Sequence, residues 1–98
     1  MTINLLKDPL HPGEVLNELY LKPLGLSAPA CARRLGVPRS RIERLVKGIT
    51  TMTPDTAFRL AYLFDTSPIY WMNMQTNYSM AKAAGTIDIS AIKPLVSA

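Results

Sequence analysis

Apolar positions recur along most of this chain at helical spacing, and the interruptions fall where helices should begin and end. The clearest pattern runs from Leu26 to Gly48, LSAPACARRLGVPRSRIERLVKG. Ala30, Cys31 and Leu35 share one face, Ser27 is a good N-cap, and Gly36 ends the run where a left-handed backbone is cheapest. Pro38 suits the first turn of a second helix, since its missing N–H costs nothing there. Ile42, Leu45 and Val46 give that helix an apolar face, and Gly48 closes it. Two short helices joined by a tight turn at a glycine make a helix-turn-helix over residues 26–48. Ala32 is small where the two helices must approach closely.

The flanking segments extend the pattern. Residues 1–10 carry Ile3, Leu5 and Leu6 without a sustained period and read as an N-terminal arm. HPGEVLNELYLKPLG predicts a helix with Pro12 in its first turn, Glu14 near the positive end of the macrodipole, and a stripe of Val15, Leu16, Leu19 and Tyr20. Beyond the uncharged connection Ile49–Met52, Thr53 caps a helix that Pro54 begins, with Asp55 in its first turn and Ala57, Leu60, Ala61 and Phe64 inward. Ser67 and Pro68 repeat that start for a last helix reaching about Ala84. At roughly 100° per residue, Trp71, Met74 and Tyr78 share one face of it, while Ile69, Met72 and Met80 lie opposite. Apolar residues on two opposed faces imply burial of both, one in this domain's core and one against a partner. After Gly85, TIDIS alternates with period two and predicts a short strand in a tail, residues 85–98. A lone strand needs an edge, which a second copy or a partner's sheet would supply; a disordered tail in the free protein is the equal alternative. The whole, residues 1–98, is expected to be one all-α domain.

Charge changes the picture. The net charge of +4 is mild, but six of the eleven basic residues and only one of the seven acids fall between Arg33 and Lys47. The excess positive charge thus sits on the helix-turn-helix, as in a nucleic-acid footprint rather than an evenly solvated surface. Cys31, the one cysteine, excludes an internal disulfide and falls on an inward face as a small hydrophobe. The single histidine, His11, has no second ligand or acid in a readable pattern beside it and sits at a helix start. No acid–base pair, metal-ligand cluster or glycine-rich phosphate loop points to an enzyme, and no cofactor is implied. The absence of a signal peptide or membrane-spanning run leads to the expectation of a cytoplasmic protein without membrane contact.

The residues also resemble a known family. Ala32, Gly36, Val37, Ile42 and Leu45 match the framework positions of the Cro/cI-type (xenobiotic-response-element) helix-turn-helix. HPGE at His11–Glu14, PLGLS at Pro23–Ser27, LGVPRSRI at Leu35–Ile42, DTAFRLA at Asp55–Ala61 and TSPIYWMNMQ at Thr66–Gln75 resemble HigA-type antitoxins, in order, over about residues 9–84. The resemblance implies a five-helix, Cro/cI-repressor-like domain with a short C-terminal extension. It also implies a homodimer that binds its own operator DNA as a repressor, and a cognate toxin of the RelE-like (HigB-type), mRNA-cleaving kind. Three features depart from the family pattern. Ala28 stands where a phosphate-gripping glutamine is common, Ile49-Thr50-Thr51 is neutral where the loop is often basic or glycine-rich, and the tail lies outside the likeness.

On this reading the second motif helix enters the major groove. Arg39, Ser40 and Arg44 are candidates for base edges, because guanidinium forks match the paired acceptors of guanine. Ser27, Arg41, Lys47, Thr50 and Thr51 are candidates for phosphates, which position without specifying. Glu43 either accepts from a cytosine or pairs with Lys47, four residues on, and the pair is the expectation. Ile69, Met72, Met80, Ile87 and Ile89 are the candidate dimer interface, with a toxin contact as the alternative use of the face on the last helix. Two other readings remain at this point: a stand-alone regulator without a toxin, and a protein-binding module whose helix-turn-helix has lost DNA.

Overall fold

The computed structural model describes residues 9–96, and over that span every regular element is helical. Four of the five helices start the same way. His11, Ser27, Thr53 and Ser67 each sit in extended backbone and accept from an amide of the first turn, with a proline at the first or second helical position. Helix α1 opens as a single α-helical turn, Pro12–Val15, and continues as a π-helical segment, Leu16–Leu21. Helices α2 (Ala28–Leu35) and α3 (Arg39–Val46) form the helix-turn-helix, followed by α4 (Pro54–Phe64) and α5 (Pro68–Ala84). Gly36, Gly48 and Asp65 take left-handed conformations at the ends of α2, α3 and α4. None of the helices is long and apolar enough to cross a membrane.

Trp71 anchors the core. It is fully buried, its indole N–H donates to Thr66 Oγ1 at 2.8 Å, and Tyr20 and Tyr70 pack against its ring. Leu16, Leu21, Cys31, Ala32, Ile42, Leu45, Ala57 and Leu60 fill the rest. Burial pushes the Cys31 thiol up to about 11, so it is a packed, un-ionised side chain. α2 packs against α3, α1 lies against α3 and α5, and α4 bridges α2 and α5.

Three expectations need correction. Leu19 is 63% exposed, while Leu21 is only 1% exposed. The cause is the π segment, seen in Lys22 N donating to Asn17 O at 2.9 Å, an i→i+5 bond. With regular α-helical spacing Leu21 would stand about 140° from Leu16, but one π turn brings it back over Leu16 and swings Leu19 outward. The strand over Thr86–Ser90 is absent, and the segment after Gly85 contains no regular element among the described residues. Among the described residues there is no sheet edge for it to pair with, and its backbone is irregular, with Ile87 and Ile89 exposed. Met72 is half-buried against this chain's own core, not free on an outer face. Of the N-terminal arm, only Pro9 and Leu10 lie within the described residues.

Candidate nucleic-acid interface

Helix α3 is held from behind and open in front. Ile42 and Leu45 are buried, whereas Arg39, Ser40, Arg41, Arg44 and Lys47 are exposed. The turn before it is closed by Val37 N donating to Ala32 O at 3.1 Å and Gly36 N to Arg33 O at 3.2 Å. Ala32 is buried where α2 and α3 meet, and a larger side chain would part them. Alone among the helices, α3 has no side-chain cap at its start: Pro38 occupies that position. The first amides of α3 therefore lack the side-chain acceptor that the other helices supply.

Its C-terminal end rests on α1. A Cβ on Gly13 would lie 1.7 Å from the Leu45 carbonyl oxygen, so the backbones of α1 and α3 touch directly. His11 finishes this joint. Its Nδ1 accepts from Gly13 N at 2.9 Å, and its ring stands edge-on to Tyr78 of α5 with centroids 4.9 Å apart. It also lies over Gly48. An acceptor at Nδ1 requires neutral imidazole. Burial holds the pKa below the ordinary 6.5, with Lys82 adding to the shift and the Thr50 backbone and Glu14 opposing it. The loop after α3 is pinned by Gln75, whose Oε1 accepts from Met52 N at 2.7 Å while its amide nitrogen donates to Ser79 at 3.0 Å.

The arginines differ in their partners. Arg39 forks onto Glu43, Nε to Oε1 at 3.2 Å and Nη2 to Oε2 at 3.3 Å, which lowers the carboxyl pKa of Glu43. This corrects the expected Glu43–Lys47 pair: both spacings suit a helix, but the planar guanidinium engages both carboxylate oxygens. Arg41 pairs with Asp55 of α4. Among the described residues Arg44 makes no ion pair. Lys47 borders a cleft with His11, Glu14, Glu18 and Tyr78.

A helix-turn-helix family model matches residues 18–71. Virulence-associated protein I of Dichelobacter nodosus is 49% identical over 74 residues, 76% of this chain and 68% of that protein. The structure of the Pseudomonas aeruginosa antitoxin HigA with the higBA promoter is similar with a TM-score of 0.82 at 35% identity, covering 91% of this chain and 100% of that one. This chain belongs to the HigA-type helix-turn-helix antitoxin family. The antitoxin GraA in complex with its operator is similar as well, with a TM-score of 0.83 at 35% identity over 92% of this chain and 94% of that one.

In this HigA-family chain Arg39, Ser40 and Arg44 share the exposed surface of α3. Arg41, Thr50 and Thr51 meet around one surface depression that Thr53 and Asp55 also line. Ser27 stands apart at the start of α2, where its hydroxyl caps Ala30 N at 3.1 Å. Ile69 and Met80 are 62% and 61% exposed on α5. Sequence reasoning missed Gln75, although its place four residues after Trp71 puts it on the inward face. It read Asp55 only as a first-turn residue and gave Arg59 no role, because the Asp55–Arg41 and Arg59–Leu35 bonds span 14 and 24 positions.

Proposed function

We propose that this HigA-family chain is an antitoxin that binds its own operator DNA as a homodimer, represses transcription there, and neutralises a RelE-like, HigB-type, mRNA-cleaving toxin in the cytoplasm. One observation carries the DNA-reading part. Arg39, Ser40 and Arg44 project from a helix fixed on its other side by the buried Ile42 and Leu45, the arrangement a major-groove reader requires. Similar proteins solved with promoter or operator DNA support it. Arg44 offers a free guanidinium fork for a guanine edge, and Arg39 exchanges Glu43 for a base as it enters the groove. Ser27, Lys47, Thr50 and Thr51 hold phosphates on either side, while Arg41 is held by Asp55 and reaches a phosphate only when that pair opens.

One such surface makes few contacts, so a palindrome read by two copies gives the useful affinity. Their α3 helices would lie about 34 Å apart. Ile69 and Met80, with Ile87 and Ile89 of the tail, form the pairing surface, and Met72 supports it from beneath. The repressor part is tested by fluorescence anisotropy on duplexes selected by the protein from a randomised pool. Arg44→Ala is expected to weaken selected duplexes far more than scrambled ones, and equal weakening of both refutes base reading. The antitoxin part is tested by co-expression with the product of the adjacent gene. A small ribonuclease that co-purifies and is silenced supports it; its absence leaves a stand-alone transcriptional regulator.

A further inference from the structure

Asp55 sits at a junction of three helices. Its Oδ2 accepts from Arg41, in the first turn of α3, and from Nε of Arg59, one turn further along α4, at 3.0 Å. Arg59 then donates through Nη1 to the carbonyl of Leu35 at 2.8 Å. That carbonyl belongs to the last residue of α2, where helical partners have run out. A single chain of charge-assisted bonds thus runs from the end of α2 through α4 to the start of α3. All three charged side chains are roughly half exposed, so these pairs do little for global stability. Their geometric effect is larger, because α3 has only eight residues and no side-chain cap of its own at this end. At its other end α3 is fixed by Gly13 and His11. Ile42 and the α2–α3 turn hold the base of its first turn, and the Asp55 junction is the side-chain tie that reaches that turn from α4, so it bears on the tilt at which Arg39 and Ser40 are carried.

We propose that Asp55 is a positioning residue for sequence recognition: by tying Arg41 to Arg59, and so to the end of α2, it sets the angle at which α3 presents Arg39, Ser40 and Arg44 to base edges. The assignment rests on the DNA-reading proposal above. It has a signature that neither a simple charge effect nor loss of folding reproduces. Removing the carboxylate frees Arg41 beside Thr50 and Thr51, so affinity for any duplex should rise through an additional phosphate contact. Discrimination between sequences should fall at the same time, because base contacts depend on angle and phosphate contacts tolerate error.

The experiment compares the wild-type chain with Asp55→Asn and Asp55→Glu by fluorescence anisotropy across a salt series. The probes are a duplex selected by the wild-type protein from a randomised pool and a scrambled duplex of the same composition. For Asp55→Asn the ratio of selected to scrambled affinity is expected to fall about tenfold. The scrambled duplex is expected to bind more tightly, with a log–log salt slope steeper by about 0.9. Asp55→Glu, which keeps the charge, is expected to recover most of the ratio. Equal shifts on both duplexes, in either direction, overturn the assignment. If Asp55→Asn does not fold, Arg41→Gln decides: preferential loss of the selected duplex supports the junction, and equal loss on both duplexes reduces Arg41 to a phosphate contact and overturns it. A wild-type protein that enriches no sequence from the pool refutes the DNA-reading proposal itself, a distinct outcome.

Discussion

Replacing Gly13 by alanine opposes two effects whose signs differ, and the structure decides between them. In an ordinary helical position the change is favourable by about 1 kcal/mol, because glycine has more backbone freedom to lose. Here the new Cβ would stand 1.7 Å from the Leu45 carbonyl oxygen and 2.5 Å from its carbon. The obstacle is backbone on the inward side of α3, so no rotamer change relieves it. α1 must move away from α3 by more than an ångström, opening the seam above Ile42 and Leu45, and such overpacking costs about 3 kcal/mol or more. The net destabilisation is then at least about 2 kcal/mol, a fall in melting temperature of about 10 °C for a domain of this size. Thermal melts followed by circular dichroism, with urea titration as a second measure, would read it directly. Affinity for the selected duplex should fall too, since the joint beneath α3 has moved. A Gly13→Ala protein as stable as wild type would refute the direct backbone contact between α1 and α3, and with it the account of how α3 is seated.

Three further outcomes follow from the same geometry. Because His11 has a folded pKa below 6.5, the unfolded chain takes up its proton first as pH falls. Stability should therefore be level above about pH 6.5 and decline from there toward the folded pKa. His11→Asn, which keeps a capping acceptor, should flatten that decline in denaturant titrations, leaving the separate loss at lower pH from Asp55 and Glu43; an unchanged profile would count against the cap. Gln75→Leu preserves bulk but leaves the Met52 amide unpaired, so stability should drop by about 1–3 kcal/mol. The Met52 amide should also exchange faster with solvent in that variant, and unaltered protection would contradict the assigned bond. Ile69→Glu should convert a dimer into a monomer in sedimentation velocity, with no comparable loss of melting temperature, because its side chain is outside the core.

How much of this could be read from the chain depended on the range of the interaction. Ser27, Thr53 and Ser67, each with a proline one or two residues on, fixed three helix starts through bonds spanning three residues. Gly36 and Gly48 marked ends for an equally local reason, their positive φ. The exposed basic surface of α3 followed from Ile42 and Leu45 alone. Leu19 was assigned inward and Leu21 left out of the stripe because a fixed angle per residue cannot register a π turn. Glu43 had two suitably spaced cations, Arg39 and Lys47, and spacing could not choose between them. The Asp55–Arg59 pair is local, but the bonds of Asp55 to Arg41, of Arg59 to the Leu35 carbonyl and of Gln75 to the Met52 amide join segments that only tertiary packing brings near. The tail's alternation was genuine, yet a strand is a property of two segments and the described residues supply one.

The shortness of the reading element has a broader consequence. Eight residues without a side-chain cap do not persist as a helix in water, where nucleation outweighs so few turns. The surface that carries Arg39, Ser40 and Arg44 therefore exists only while Gly13, Met52, Asp55 and the core behind them stay assembled. Any event that peels α1 or α5 from the body, whether by a ligand, a competing protein or a cut in the chain, would dissolve that surface rather than merely loosen it. Occupancy of DNA by this molecule is thereby coupled to the integrity of parts far from the duplex.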